Sequence, residues 1–316
     1  MHIQISIKGG PGSGNWGHRG IPGKVGGSSP RGAGMSPTSG KDWLQRYEKR
    51  AGKKHPSAEK KPKPVIAKPE PKPTTDTAKM ANDYLNAAPG LTGPTWEDAS
   101  VEDRAATKRN TVATLSKSSG ASKITTNNIV HQWAKSSNDD DTRSLSLQEA
   151  VSEEFDSELS DWQMEKIVGM SITGGTGNPI TTRKRERQVL RAMYNNTQRE
   201  LAEAGFKPND TITMYRGMEQ EDKFGFSKGD TVGYSGNAME SWSTDKETAE
   251  FFSHAAGFYE DFGATMSMKV RVKDILSTPR TGFGCLTEAE FVIFGNSPTP
   301  KSVSIEDMIE PVEGYW

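Results

Sequence analysis

Residues 286–295, LTEAEFVIFG, place two acidic side chains directly before an apolar run. The run has the length and composition of a buried β-strand. Side chains at i and i+2 of a strand point to the same face, and a strand rises about 3.3 Å per residue. In one strand, Glu288 and Glu290 would therefore stand roughly 7 Å apart on one side. This pattern fits an exposed strand start whose acids face water, or a pair of carboxylates to which a cation binds.

The charges divide the chain into two parts. Residues 1–80 hold 16 Lys and Arg against 5 Asp and Glu, whereas the remainder holds 24 against 36. Only 32% of the 316 residues are hydrophobic, which is low for a fully globular protein. We therefore predict a basic, disordered tail over residues 1–79 and an acidic folded domain over residues 80–316.

The predicted tail combines two kinds of sequence. Residues 9–40 contain 12 glycines, and EKKPKPVIAKPEPKPTT is a Pro/Lys spacer. Neither segment holds enough apolar residues to form a core, and the spacer should be extended and semi-rigid. A tail with this charge is suited to contact nucleic acid or another acidic surface.

The remaining composition narrows the class of protein. Cys285 is the single cysteine, which excludes an intramolecular disulfide, and we predict that it fills space rather than acting as a nucleophile. No apolar run approaches the length of a membrane span, and the N-terminus MHIQISIKGG lacks the apolar core of a secretory signal. The five histidines show no metal-ligand spacing. These features predict a protein that folds in a reducing cytoplasm and binds no metal.

The folded part consists of helical patterns followed by strand patterns. Helices are predicted at 80–85, 96–120, 124–137, 146–169, 183–205 and 246–256. Strands are predicted at 211–218, 230–236, 238–244, 264–272 and 290–295. This order predicts an α+β fold, in which a mainly helical part at 80–205 packs on a mainly β part at 206–316.

Three short motifs lie in the β-rich part. The strand TITMYRGM ends in Arg216 and Gly217, where a guanidinium beside a glycine suits a phosphate or pyrophosphate. The segment ESWSTDKETAEFF carries Ser243 at a strand end, directly before a helix. The third motif is the pair Glu288 and Glu290. Taken singly, each motif also fits an ordinary role, as a surface arginine, a strand–cap–helix junction or an exposed strand start.

In this order and at these spacings, the motifs resemble those of the mono-ADP-ribosyltransferases of the Arg–Ser–Glu class, the group of the clostridial binary toxins and the arginine-specific ectoenzymes. The resemblance covers residues 180–310 and, more loosely, the helices before them. It matches Arg216, Ser243 and Glu290 to the family's arginine, serine and catalytic glutamate. The family's usual Ser-Thr-Ser is Ser-Thr-Asp here, so a role for the third position does not carry over.

The resemblance implies a helical layer packed on a two-sheet β-core and an enzyme that transfers ADP-ribose from NAD to arginine side chains of an acceptor protein, releasing nicotinamide. Cleaving the bond between nicotinamide and ribose develops an oxocarbenium ion, which a fixed carboxylate stabilises. The resemblance assigns this task to Glu290, which Ser243 would orient, while Arg216 would hold the pyrophosphate. Glu288 would align the acceptor guanidinium and take its proton.

Further contacts follow from the same resemblance. Gly217, Thr244 and Phe251 are expected to line the NAD site, with Phe251 placed to stack on nicotinamide. The segment TPRTGFGCLT corresponds to the family's acceptor-recognition loop, and Phe283 would be its exposed aromatic residue. The stretch 253–264 would be the mobile loop that closes over NAD.

The glycine-rich segment has a resemblance of its own. Its form GGxGSGNxGHxGxPGxxGGS recurs near the ends of bacteriophage head and virion proteins that are otherwise unrelated. This implies a bacteriophage-encoded enzyme located in the cytoplasm of the bacterial host or packaged in the virion, with a tail that contacts capsid or nucleic acid and with no membrane partner. Three alternatives stay open at this point: a nucleic-acid acceptor, an NAD glycohydrolase, and a non-catalytic virion scaffold.

Overall fold

A computed structural model of the chain describes residues 4–6, 77–135, 142–155, 157–159, 163, 167, 179–220, 223–257, 262–295 and 301–310, which all belong to one compact unit. Within these ranges there are six α-helices: α1 (Thr77–Asn86), α2 (Val101–Ser119), α3 (Lys123–Lys135), α4 (Thr142–Phe155), α5 (Pro179–Glu203) and α6 (Lys246–Gly257). The eight strands are β1 (Gln4–Ser6), β2 (Thr211–Gln220), β3 (Thr231–Ser235), β4 (Met239–Ser243), β5 (Phe262–Arg271), β6 (Ile275–Ser277), β7 (Glu290–Phe294) and β8 (Lys301–Ile309). The fold is therefore α+β, as predicted from the sequence.

The strands form one sheet in the order β1-β3-β8-β5-β2-β4-β7-β6. Neighbouring strands pair antiparallel, except that β1 joins the edge of β3 in parallel. The shortest pairing is between β2 and β4, which share the single residue pair Tyr215–Ser243. The described strands thus form one sheet with a short pairing at this point, whereas the resemblance implied two sheets.

The two faces of the sheet carry different apolar clusters. Trp242 of β4 and Phe291 of β7 belong to a cluster that includes residues of α1, β2, β5 and β8. The alternate residues Met239 and Val292 belong to a second cluster, which includes residues of α2, α3, α4 and α5. Because side chains alternate along a strand, Glu290 shares the second face with Val292 and points toward the side of the helices.

Helix α2 is fixed at both ends by its own sequence. Ser100 and Asp103 form a capping box, in which the Ser100 hydroxyl accepts from the Asp103 amide at 3.1 Å and the Asp103 carboxylate accepts from the Ser100 amide at 3.0 Å. Gly120 ends the helix with φ 70° in the left-handed region. The capped helix presents Arg104 and Lys108, one turn apart, on one side.

Two predicted elements differ from the structure. The helix predicted over 146–169 is interrupted. Helix α4 ends at Phe155, residues 157–159 are not helical, and the Ser157 hydroxyl donates to the Ala238 carbonyl at 2.7 Å. The described residues Gln163 and Ile167 are helical again. The mobile loop predicted at 253–264 is wrong for most of its length. Helix α6 continues to Gly257 and β5 begins at Phe262, which leaves only 258–261 outside the described residues.

Three strands escaped the sequence analysis: β1, β6 and β8. Strand β8 is central, because it pairs with both β3 and β5. Its apolar residues Val303 and Ile305 are buried, but Ser, Glu and Asp side chains surround them and weaken the apolar signal. The alternating SVSI at its start is the only local sign of a strand.

The predicted tail lies outside the described residues, apart from β1 and the first three residues of α1. Helix α1 begins at Thr77, three residues before the predicted boundary, and the Thr77 hydroxyl donates to the Thr211 carbonyl at 2.7 Å. Among the described helices, none combines the length and apolar character that crossing a membrane requires.

Candidate active site

The carboxylate of Glu290 is held on both of its oxygens. Glu290 is the half-buried first residue of β7. Its Oε1 accepts a hydrogen bond from the Ser241 hydroxyl of β4, and its Oε2 accepts from the backbone N–H of Cys285 at 2.7 Å. Each carboxylate oxygen has two lone pairs, so both oxygens keep acceptor capacity for a bound hydroxyl or cation.

Ser241 connects Glu290 to two other elements. Its hydroxyl accepts from the indole Nε1–H of Trp133 at 3.2 Å, and its backbone carbonyl accepts from Nη1 of Arg216 at 2.7 Å. The sequence analysis gave the orienting role to Ser243, and this assignment is corrected here. Ser243 stands directly opposite Glu290 in the β4–β7 register, whereas Ser241 is the diagonal neighbour on the same face that makes the contact.

Ser243 holds a turn instead. Its hydroxyl donates to the backbone carbonyl of Glu288 at 2.7 Å and accepts from the Asp245 amide at 2.9 Å. The carboxylate of Asp245 then caps α6 by accepting from the amide and hydroxyl of Thr248 at 2.8 and 2.7 Å. Ser243 therefore ties the end of β4 to both the segment before β7 and the start of α6.

Glu288 does not belong to a strand. It ends a 3₁₀ turn, Leu286–Glu288, and the next residue, Ala289, has φ 45° in the left-handed region. Ala289 is fully buried and is the one non-glycine residue with positive φ among those described, which marks a strained position. The expected same-face spacing of the two carboxylates within one strand is therefore wrong, because the chain turns between them.

The surroundings of Glu288 raise the pKa of its carboxyl group toward physiological pH. Burial, followed by the charge of Glu290, raises the pKa of the Glu288 carboxyl to about 7, while a hydrogen bond from Cys285 and the charge of Arg104 oppose the increase. Arg104 reaches this segment from α2, where its Nη1 donates to the Thr287 hydroxyl at 3.3 Å. A carboxyl group that titrates near pH 7 is suited to accept a proton during a reaction.

Cys285 binds Glu288 through its thiol and Glu290 through its backbone. Burial, together with the nearby carboxylates of Glu288 and Glu290, raises the pKa of the thiol, so the reactive thiolate is disfavoured. The Cys285 amide donates to Glu290 Oε2, and the Glu290 amide donates to the Cys285 carbonyl at 3.1 Å. The two residues thus close a short loop at the start of β7.

Arg216 lies at the point where β2 and β4 separate. The ladder between the two strands stops at Tyr215–Ser243, and the Arg216 guanidinium bridges the opening by its bond to the Ser241 carbonyl. Gly217 has a role different from the predicted room for a ligand. A Cβ at this position would lie 2.2 Å from the Ala249 carbonyl oxygen, so the glycine permits α6 to pack on β2.

The two predicted aromatic contacts have opposite outcomes. Phe283, expected as an exposed residue for acceptor recognition, is completely buried, with its ring centroid 5.8 Å from that of Trp133. The apolar second cluster takes up this ring, so the prediction for Phe283 is wrong. Phe251 on α6 is 61% exposed and available for stacking.

The hydroxyl of Thr244 is buried and has no hydrogen-bond partner among the described residues.

The sequence analysis missed four contributors to this site: Ser241, Trp133, Arg104 and Lys108. A signal existed for Ser241, because ESWS offers two hydroxyls at i and i+2 of one strand. The other three lie on α2 and α3, and their contacts with β4 and with the segment before β7 depend on how the helices pack on the sheet.

Comparison with known proteins finds no family model, no curated protein and no solved structure that matches this chain. Within the described ranges, no group of three or more His, Cys, Asp or Glu side chains is arranged to hold a metal ion. The site is described by its geometry, in which Ser241 of β4 and Cys285 of the segment before β7 bind the Glu290 carboxylate and Arg216 of β2 binds Ser241.

Proposed function

We propose that the chain is an NAD-dependent mono-ADP-ribosyltransferase, with an ADP-ribosyltransferase domain over residues 80–316, that modifies arginine side chains of an acceptor protein. The observation that carries the proposal is the Glu290 carboxylate, which is held on both oxygens by Ser241 and Cys285. A carboxylate held in place before substrate binds stabilises positive charge without reorganising during the reaction.

The reaction suits such a carboxylate. When the glycosidic bond of NAD breaks, nicotinamide leaves with the bonding electrons and the ribose develops an oxocarbenium charge. Glu290 stabilises that charge and accepts a hydrogen bond from the ribose 2′-hydroxyl through its remaining lone pairs.

Glu288 supplies the proton acceptor. A guanidinium keeps its proton at neutral pH in water and is then a poor nucleophile. With a pKa of about 7, the Glu288 carboxyl is partly ionised at neutral pH and takes the proton as the guanidinium nitrogen bonds to the ribose carbon.

Arg216 and Phe251 serve the rest of NAD in this proposal. The bond to the Ser241 carbonyl fixes the Arg216 guanidinium at the opening between β2 and β4. A planar guanidinium matches the geometry of a pyrophosphate. The exposed ring of Phe251 is suited to stack on nicotinamide.

The tail over residues 1–79 directs the enzyme rather than taking part in the chemistry. Its glycine-rich segment resembles one found in bacteriophage head proteins, and its excess of positive charge suits capsid or nucleic acid. The proposal therefore places the enzyme in the cytoplasm of a bacterial host or in the virion.

The test is incubation with NAD labelled in the adenylate part and a bacterial lysate, with and without nuclease. We expect label on protein in both reactions, together with release of nicotinamide, and both signals should be about 100–1000-fold lower with a Glu290→Gln variant. Label that disappears with nuclease would assign a nucleic-acid acceptor, and nicotinamide release without label would assign a glycohydrolase. No release of nicotinamide would contradict the proposal.

A further inference from the structure

We propose that Lys108 is a positioning residue for Glu290, which it orients through the peptide group between Gly284 and Cys285. The inference deepens the proposed function and rests on it for its catalytic meaning. Its structural part concerns the contacts of one buried loop and can be tested without any substrate.

The side chain of Lys108 binds the loop before β7 at two points. Its Nζ donates hydrogen bonds to the carbonyl oxygens of Gly282 and Gly284, each at 3.0 Å. Lys108 is in the middle of α2, whose ends are capped, so its amino group enters from a rigid element. The bonds turn both carbonyls toward one position.

The peptide group between Gly284 and Cys285 then connects Lys108 to Glu290. The described residues contain no cis peptide, and in a trans peptide the C=O and N–H point in opposite directions. The C=O of this group accepts from Lys108, and its N–H donates to Oε2 of Glu290 at 2.7 Å. A donor on the C=O and a carboxylate acceptor on the N–H polarise the peptide group in the same direction, which strengthens both hydrogen bonds.

The backbone at Gly284 has a conformation and a close contact that require glycine. Gly284 has φ 102°, and a Cβ there would lie 2.4 Å from the backbone oxygen of Glu290. Without the Lys108 amine, the carbonyls of Gly282 and Gly284 would lose their donor in a part-buried place, at a cost of about 1–3 kcal/mol for each group left unsatisfied. Rotation of the peptide toward another donor would remove the Cys285 N–H from Glu290.

Helix α2 contacts the loop at a second point. Burial lowers the pKa of Lys108, and the charge of the nearby Glu290 acts against this shift. Arg104, one turn earlier on α2, binds Thr287 on the other side of Cys285. Helix α2 therefore holds the loop on both sides of the amide that faces Glu290.

The substitution Lys108→Met removes the donor and keeps a side chain of similar length. Residues that orient a functional group from outside its direct contacts typically change activity by about 10–100-fold, and we expect a loss of kcat for NAD cleavage in that range. The KM for NAD should stay within about twofold, because Lys108 acts on the transition-state carboxylate rather than on uniform binding. Lys108→Arg keeps charged donors and should recover part of the kcat, whereas Lys117→Met, an exposed lysine of the same helix, should leave both constants unchanged.

A second measurement needs no turnover. Cys285 is the only cysteine, so selective ¹⁵N-cysteine labelling of the full chain gives a single backbone amide signal. We expect its hydrogen exchange to accelerate by at least about tenfold in Lys108→Met and to be unchanged in Lys117→Met. If Lys108→Met does not fold, Lys108→Gln, which has a shorter side chain with a neutral amide donor group, takes its place with the same expected direction.

The outcomes separate the two proposals. A wild-type chain that leaves NAD intact contradicts the proposed function, and the exchange rate of the Cys285 amide then decides the positioning role alone. A wild-type chain that cleaves NAD, combined with unchanged kcat and unchanged exchange in Lys108→Met, overturns the role of Lys108. Equal losses in Lys108→Met and Lys108→Arg, with Cys285 exchange unchanged in both, also overturn it, since a route through the peptide requires a response at Cys285.

Discussion

The hydroxyl of Ser241 donates a hydrogen bond to Oε1 of Glu290, across the β4–β7 pair and diagonal to the residue directly opposite. Ser243 is on the same face of β4, but its hydroxyl binds the Glu288 carbonyl and the Asp245 amide. Two hydroxyls that are two residues apart therefore have separate tasks. One orients the carboxylate and the other shapes the turn that carries the second acid.

The first prediction separates these two serines. Ser241→Ala removes a donor from Glu290 and leaves the buried Trp133 indole N–H without its acceptor, so kcat for NAD cleavage should decrease by about 10–100-fold. Ser243→Ala removes the link from β4 to Glu288 and Asp245, so it should lower the free energy of unfolding by about 1 kcal/mol and reduce transfer to arginine more than NAD hydrolysis. Steady-state kinetics and urea denaturation of both variants measure these effects. A larger loss of NAD cleavage in Ser243→Ala than in Ser241→Ala would return the orienting role to Ser243.

The second prediction concerns Glu290 itself. Glu290→Gln keeps the shape of the side chain but removes the negative charge where the oxocarbenium ion forms, which should raise the activation barrier by roughly 2.7–4 kcal/mol. Both transfer and NAD hydrolysis should then fall by about 100–1000-fold. Glu247→Gln on the exposed side of α6 is the matched control and should retain full activity. Near-normal turnover by Glu290→Gln would rule out the assignment.

The sequence predicts the strands of this site better than their contacts. Strands β2, β4 and β7 follow from apolar alternation and from the turn residues that bound them, and they carry the three motifs in the predicted order. The conformation before β7 cannot be predicted from the local sequence. Alanine has no local preference for a positive φ, so the surrounding structure imposes this conformation on Ala289.

The partners of Glu290 were also difficult to infer. The Cys285 contact is made by a backbone amide, which every residue except proline supplies, so residue identity carries no information about it. Lys108 resembles any other lysine of an amphipathic helix until α2 is packed on the loop. Phe283 was misplaced because an aromatic residue in a loop rich in glycine suggests exposure, whereas its ring packs against Trp133 in the second cluster.

The third prediction concerns the choice between an arginine acceptor and water. Glu288→Gln cannot accept the guanidinium proton, so transfer to arginine should collapse while slow hydrolysis of NAD continues. Parallel assays of labelled protein and released nicotinamide give the ratio of the two reactions. In the wild type this ratio should increase as the pH rises through about 7, where the Glu288 carboxyl ionises. Equal losses of both reactions in Glu288→Gln would show that Glu288 supports NAD rather than the acceptor.

The fourth prediction links the same carboxyl to stability. Its pKa is raised from 4.5 to about 7, so between these values the folded protein holds a proton that the unfolded chain releases. The contribution of Glu288 to the free energy of unfolding should therefore decrease as the pH rises from 4.5 to 7, and the full cost should be present above pH 7. Urea denaturation should show that the free energy of unfolding of Glu288→Gln, minus that of the wild type, is about 2 kcal/mol larger at pH 8 than at pH 5. The same difference at both pH values would mean that the pKa of Glu288 is not raised.

The last prediction concerns the tail. The one strand that the structure describes in it, β1, pairs with β3 at the edge of the sheet, and five strands lie between β1 and β7. A chain that begins at Thr77 keeps all of α1, including the bond from the Thr77 hydroxyl to the Thr211 carbonyl, and should cleave NAD and modify a soluble acceptor as fast as the full chain. A chain that begins at Met80 loses that bond and should be less stable by about 1 kcal/mol, with the same kcat. Both shortened chains should lose co-purification with phage particles, because the glycine-rich segment is absent. A folded but inactive chain beginning at Thr77 would instead place part of the tail in the active site.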